Sequence, residues 1–260
     1  RQYPHQPSAE AFMKKNELLT ACVIAAHGRH YLATTGDGKM LHCVTRGKKS
    51  DVAVGDSINA TPTAKGQAVI ESINERRSLL YRSDQYKSKL LAANIDQLFI
   101  VVATEPGFSD DLVSRALVAA EAAEIEVHLI LNKIDMTDRL EKARERIGFY
   151  ASLGYPVHEV SATALPDQTL ANLMPAVRNR ISVLIGQSGM GKSSLINLLV
   201  PGADIATQEI STVLNSGKHT TTYTRMYRID EDTAVVDSPG FQEFGLYHLT
   251  EGMLERAFRE

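Results

Sequence analysis

The run Gly186-Gln187-Ser188-Gly189-Met190-Gly191-Lys192-Ser193 has the residue types and spacing to hold phosphate. Its glycines let the backbone turn tightly, so that a ring of N–H donors faces an anion at the start of a helix, where the helix dipole also favours negative charge. Lys192 then pairs with the outer phosphates and the Ser193 hydroxyl ligates Mg²⁺. A second constellation, Asn132-Lys133-Ile134-Asp135, suits a base rather than a phosphate. The Asp135 carboxylate accepts from two adjacent donors, the arrangement on the guanine edge at N1–H and the 2-amino group; adenine offers an acceptor there and leaves a charge unpaired. Ser161-Ala162, twenty-nine residues on, has the place of a supporting loop whose backbone N–H meets the guanine oxygen.

Two further segments complete a nucleotide-sensing set. Asp237-Ser238-Pro239-Gly240 follows an apolar run and suits a loop in which Asp237 holds Mg²⁺ through water and the Gly240 N–H meets a γ-phosphate. The polar stretch Ser216–Thr222 is expected to supply a threonine ligand to Mg²⁺, either Thr221 or Thr222. The order of these motifs is unusual. In most guanine-nucleotide switches the phosphate loop comes first and Asn-Lys-x-Asp last; here the base reader precedes the phosphate loop, which reads as a circularly permuted GTPase.

The elements that must position these residues are legible around them. Ile95–Thr104 is a continuous apolar run of the kind parallel sheets bury on both faces. Ser109 can cap a helix whose first turn carries Asp110 and Asp111. Strands are expected at Val127–Leu131, Pro156–Val160, Ile181–Ile185, Tyr223–Ile229 and Thr233–Asp237. Helices are expected at about 138–153, 168–179 and 192–200. This alternation predicts a doubly wound, mostly parallel α/β domain from about residue 84 to 260.

Residues 18–83 have a different texture. Short β-type runs, Ala21–Ala25, Arg29–Ala33 and Met40–Val44, are broken by turn residues, which predicts a small all-β barrel, OB-fold or SH3-like. Residues 1–90 hold 14 Lys and Arg against 8 Asp and Glu, whereas residues 91–260 hold 14 against 23. A basic first third on an acidic remainder points to a polyanionic partner, with Arg46, Lys48 and Lys49 as candidate RNA contacts. Residues 1–17 are polar and non-periodic, and a tail is expected there. No apolar run approaches the ~20 residues of a membrane helix, and no leader pattern is present, so a cytoplasmic protein without membrane contact is expected. Cys22 and Cys43 lack paired ligand spacing and read as core residues.

Over nearly its whole length the chain resembles the bacterial family of ribosome-small-subunit-dependent GTPases A (RsgA, also called YjeQ). The resemblance rests on Asn132-Lys133-Ile134-Asp135, Ser161-Ala162, Gly186 to Ser194, Gly217-Lys218-His219-Thr220-Thr221-Thr222 and Asp237-Ser238-Pro239-Gly240-Phe241 with Glu243-Phe244-Gly245-Leu246. It implies an N-terminal OB-fold, GTP hydrolysed to GDP and phosphate, Mg²⁺ as cofactor, and a partner in the 30S ribosomal subunit and its 16S rRNA late in subunit maturation. A monomer is expected. The family also has a C-terminal zinc-binding domain; residues 1–260 carry no Cys/His cluster for Zn²⁺, and no zinc is expected on them. Where Ras-like enzymes carry a water-orienting glutamine, this chain has Phe241, which predicts slow intrinsic turnover completed by a partner or by another residue, with His219 the catalytic candidate. The alternative is a nucleotide-regulated rRNA-binding module whose output is occupancy rather than turnover.

Overall fold

The computed structural model describes residues 17–47, 51–83, 88–204, 223–238, 246 and 249–258. The first third alternates inward apolar and outward polar residues over β1 (Leu19–His27), β2 (His30–Thr35), β3 (Met40–Thr45), β4 (Ser57–Ala64) and β5 (Gln67–Ile73). The period of two puts Val23, Ala33, Cys43, Ile58 and Ala60 inside, and these pack into a core of their own. Small side chains at so many inward positions suit the tight interior of a five-stranded barrel. Pairing runs β1–β2–β3–β5–β4 and back to β1, with β3 and β5 parallel and the other pairs antiparallel. This closed order is OB-like and decides between the two barrels the sequence allows. Beneath it, buried Asp56 accepts from Arg76 Nε and Nη2, each at 2.7 Å, and from the Ala53 N–H.

A hairpin, β6 (Leu79–Ser83) with β7 (Ser88–Ala93), leads out of the barrel. It is fastened at Gly55, whose φ of +93° and close approach to the Ala93 carbonyl leave no room for a Cβ.

From β8 (Gln97–Ala103) onward strands and helices alternate: α1 (Asp110–Ala122), β9 (Glu126–Asn132), α2 (Leu140–Ser152), β10 (Val157–Glu159), α3 (Pro166–Val177), β11 (Ile181–Gly186), α4 (Lys192–Leu199). β12 (Arg225–Arg228), β13 (Ala234–Asp237) and α5 (Glu251–Ala257) follow. The sheet order β10-β9-β8-β11-β13-β12 is parallel except for β12. All seven β8 residues are buried, as a central parallel strand covered on both faces requires. Ser109 caps α1 by accepting from the Leu112 N–H at 3.4 Å.

The two sheets are joined. Ala25 of β1 pairs with Arg225 of β12, so barrel and α/β sheet form one eleven-stranded ribbon, and Ile24, Leu32 and Val54 share a core with the α/β strands. No helix among the described residues is long and apolar enough to cross a membrane.

Candidate functional site

The loops at the carboxyl ends of β8, β9, β10, β11 and β13 converge, and the described motif residues sit on them. The phosphate loop leaves β11 at Gly186, where a Cβ would lie 2.9 Å from the Val101 carbonyl oxygen, and enters α4 at Lys192. Gly189 and Gly191 adopt φ of +86° and +84°, so the loop turns as a glycine-rich phosphate cradle must. Ser193 is exposed in the first turn of α4, and Gln187 Oε1 accepts from the Ser109 N–H at 3.2 Å.

Asn132, buried at the end of β9, holds three segments together. Its Nδ2 donates to the Met190 carbonyl at 3.0 Å, and its Oδ1 accepts from the Ala162 N–H at 3.2 Å. Lys133 stands at φ +64°, and its Nζ donates to the Gly189 carbonyl at 2.6 Å and to the Glu105 carbonyl at 2.9 Å. Ile134 is half-buried, and its N–H donates to the Val160 carbonyl at 3.2 Å. Asp135 is exposed, with Oδ1 accepting from Ser161 Oγ at 2.5 Å. Ser161 is fixed in turn by Thr169 of α3, which donates to its carbonyl at 2.9 Å and accepts from its N–H at 3.2 Å. The Asp135 carboxylate thus lies at an open surface with one oxygen oriented by Ser161.

At the phosphate end, Lys192 Nζ is ion-paired with Asp237 and donates to the Ser238 carbonyl at 2.7 Å. Both side chains are 11% exposed. Ser238 Oγ donates to the Leu184 carbonyl at 3.2 Å, pinning the turn after β13 to β11. Ser193 and Asp237 offer hydroxyl and carboxylate oxygens, the hard donors Mg²⁺ takes, and both flank Lys192, so this set fits the ion. Pro239, Gly240, Phe241, His219, Thr221 and Thr222 lie outside the described residues, as do Lys48 and Lys49. Arg46 is engaged by Glu71, with Nε donating at 3.1 Å and Nη2 at 2.6 Å.

Two contributors were not singled out in the sequence. Glu105 acts through its backbone carbonyl, which carries no residue signature. Thr169 sits on a helix eight residues past Ser161, a spacing with meaning only once β10 and α3 are folded against each other.

Strands β9 and β10 are cross-linked by a polar chain. His128 Nδ1 lies 2.9 Å from His158 Nε2, His128 Nε2 lies 2.9 Å from Glu126 Oε1, and His158 Nδ1 lies 2.8 Å from Asn172 Oδ1. Burial pushes the His158 pKa below its usual value; Asn172 opposes that shift and His128 adds to it. The Arg180 guanidinium, and next His128, hold the Glu126 carboxyl below the usual range.

Comparison with known proteins agrees with this fold. The family model described as RsgA GTPase matches residues 73–247. The small ribosomal subunit biogenesis GTPase RsgA of Burkholderia pseudomallei (strain K96243) is 57% identical over 258 residues, which cover 99% of this chain and 82% of that protein. Among solved structures, YjeQ from Thermotoga maritima superposes with a TM-score of 0.66 at 29% identity, covering 93% of this chain and 82% of that one. A structure described as YloQ, a circularly permuted GTPase, shares the fold with a TM-score of 0.64 at 22% identity, covering 94% and 79%. With the permuted motif order and the OB-like barrel both in place, the chain belongs to the RsgA GTPase family.

Proposed function

We propose that this chain binds GTP at the converging loops and hydrolyses it to GDP and phosphate in biogenesis of the small ribosomal subunit, with turnover raised by the 30S particle. The carrying observation is Asn132, which bonds at once to the phosphate loop at Met190 and to the Ser-Ala loop at Ala162. One side chain thereby fixes the distance between the phosphate cradle and the base reader, the span a bound nucleotide must bridge.

In this reading Asp135 receives the guanine N1–H and 2-amino donors, held by Ser161, and the Ala162 loop faces the guanine oxygen. Lys133 braces the wall with Gly189 and Glu105. The backbone N–H groups of 187–194 and the Lys192 ammonium neutralise the phosphates. Lys192 must first leave Asp237, and that exchange frees the carboxylate. Mg²⁺, held by Ser193, by Asp237 through water, and by Thr221 or Thr222, would supply charge neutralisation between the outer phosphates. Gly240 senses the γ-phosphate, and His219 is the proposed group near the attacking water.

The 30S subunit and its 16S rRNA are the proposed partner, met in part by the basic loops at Arg46, Lys48 and Lys49, with the protein acting as a cytoplasmic monomer. The name of the Burkholderia relative supports the partner, and the basic first third supports contact with RNA. A test is retention on 30S subunits with a non-hydrolysable GTP analogue against GDP. Release that depends on hydrolysis supports the enzyme reading; equal retention with both nucleotides favours a binding module whose output is occupancy.

A further inference from the structure

Beside the nucleotide loops lies a cavity of about 240 Å³ between the segment after β8 and one face of α2. Thr104, Glu105 and Phe108 line it from one side, and Arg139, Lys142 and Arg146 from the other. Three cations line it, two of them paired with the Glu105 and Asp110 carboxylates, which leaves the notch net positive beside an α/β domain that is acidic in composition. Two of the cations are held in place: Arg139 Nη1 donates to Glu105 Oε2 at 2.6 Å, and Arg146 Nη2 donates to the Phe108 carbonyl at 2.6 Å and to Asp110 Oδ2 at 2.8 Å. The Arg146 guanidinium also stacks 4.1 Å above the Phe108 ring. A guanidinium has five N–H donors, so these bonds leave several on each for an incoming anion. Lys142 is exposed and has no ion pair among the described residues. The wall at Thr104 adds a buried hydroxyl with no hydrogen-bond partner among the described residues.

We propose that this notch is a second anion site that takes a phosphate group, apart from the nucleotide loops. Its size decides the class. It falls below the ~300 Å³ at which pockets begin to enclose whole ligands, so it fits one phosphate with part of what carries it. Pre-oriented arginines and an exposed lysine suit a tetrahedral, multiply charged oxyanion better than a single carboxylate. Among the described residues the lining shares none with the four motif loops, yet the two sites touch, because the Glu105 whose side chain Arg139 holds is the residue whose carbonyl receives Lys133. The phosphate belongs either to an RNA backbone or to a small free anion. The site stands whether or not the chain turns over GTP on ribosomes.

The test uses the whole chain loaded with GDP, followed by amide chemical shifts during titration with inorganic phosphate and, separately, with a short single-stranded RNA. Saturable shifts at Gly107, Phe108 and Lys142 are expected with at least one of the two, and Lys142→Glu should weaken that binding about fivefold or more. GDP affinity and unstimulated GTP hydrolysis should stay unchanged in the variant, which keeps this result separate from the catalytic reading. Response to RNA with the greater affinity identifies a backbone phosphate; response to inorganic phosphate alone identifies a free anion. Shifts confined to residues 186–194 with both ligands, or equal binding by Lys142→Glu, would overturn the proposal.

Discussion

The Nδ2 of Asn132 donates to the carbonyl of Met190 across 3.0 Å, although 58 positions separate the two in the chain. Permutation explains the separation: β9 and β11 flank β8 in one parallel sheet, so their carboxyl ends open side by side whichever strand the chain reaches first. With the Ala162 N–H bonded to the same side chain, Asn132 ties the glycine-rich loop to the Ser161-Ala162 loop.

Replacing Asn132 by Ala strands both the Met190 carbonyl and the Ala162 N–H. Each unmade buried bond costs about 1–3 kcal/mol, so guanine-nucleotide affinity should fall by roughly tenfold or more, with a lower melting temperature in the nucleotide-free protein. Affinity within twofold of wild type would show that the site is held by other means.

Gly191→Ala tests the approach from the other side. A Cβ there would overlap Asn132 Nδ2, and φ of +84° disfavours any L side chain. The variant should lose nucleotide binding while the barrel, with its separate core, remains folded. Retained GDP binding would contradict the packing described.

Ser161→Ala removes the donor to Asp135 Oδ1 but leaves the carboxylate itself. GTP affinity should drop by about 1 kcal/mol, roughly fivefold, with ATP still excluded, because discrimination lies with the carboxylate. A gain of ATP binding would reassign the base-reading role.

Acid should loosen the wall between β9 and β10. The folded pKa of His158 is depressed, so its stabilising effect is complete above the unfolded value near 6.5 and is lost as pH falls from there toward the folded value. Melting temperature should therefore decline below about pH 6.5, and His158→Gln should flatten that decline. Identical pH profiles for the two proteins would remove His158 from the account.

Much of this was legible in the sequence because the motifs are local. The phosphate loop, Asn132–Asp135 and Asp237 each lie at the end of an apolar strand, Ser161-Ala162 follows the short β10, and β8, β9, β11 and β13 fall within two residues of the expected spans. What escaped is non-local. The barrel's closure through parallel β3 and β5 distinguishes OB-like from SH3-like packing, and no short run records it. The β6–β7 hairpin lies partly inside the span expected for the barrel yet pairs outside it. The join of β1 to β12 depends on one backbone register, Ala25 with Arg225, that composition does not encode. The Lys192–Asp237 pair was equally hidden, since sequence assigns the two residues to phosphate and metal and gives no sign that they neutralise each other.

The most direct measurement is steady-state GTP hydrolysis with and without purified 30S subunits, with Lys192→Ala as the control for contaminating activity. A slow rate alone, a large rise on adding 30S subunits, and loss of both in the control are expected. A rate that stays flat with 30S subunits present while GTP remains bound would contradict ribosome-stimulated turnover.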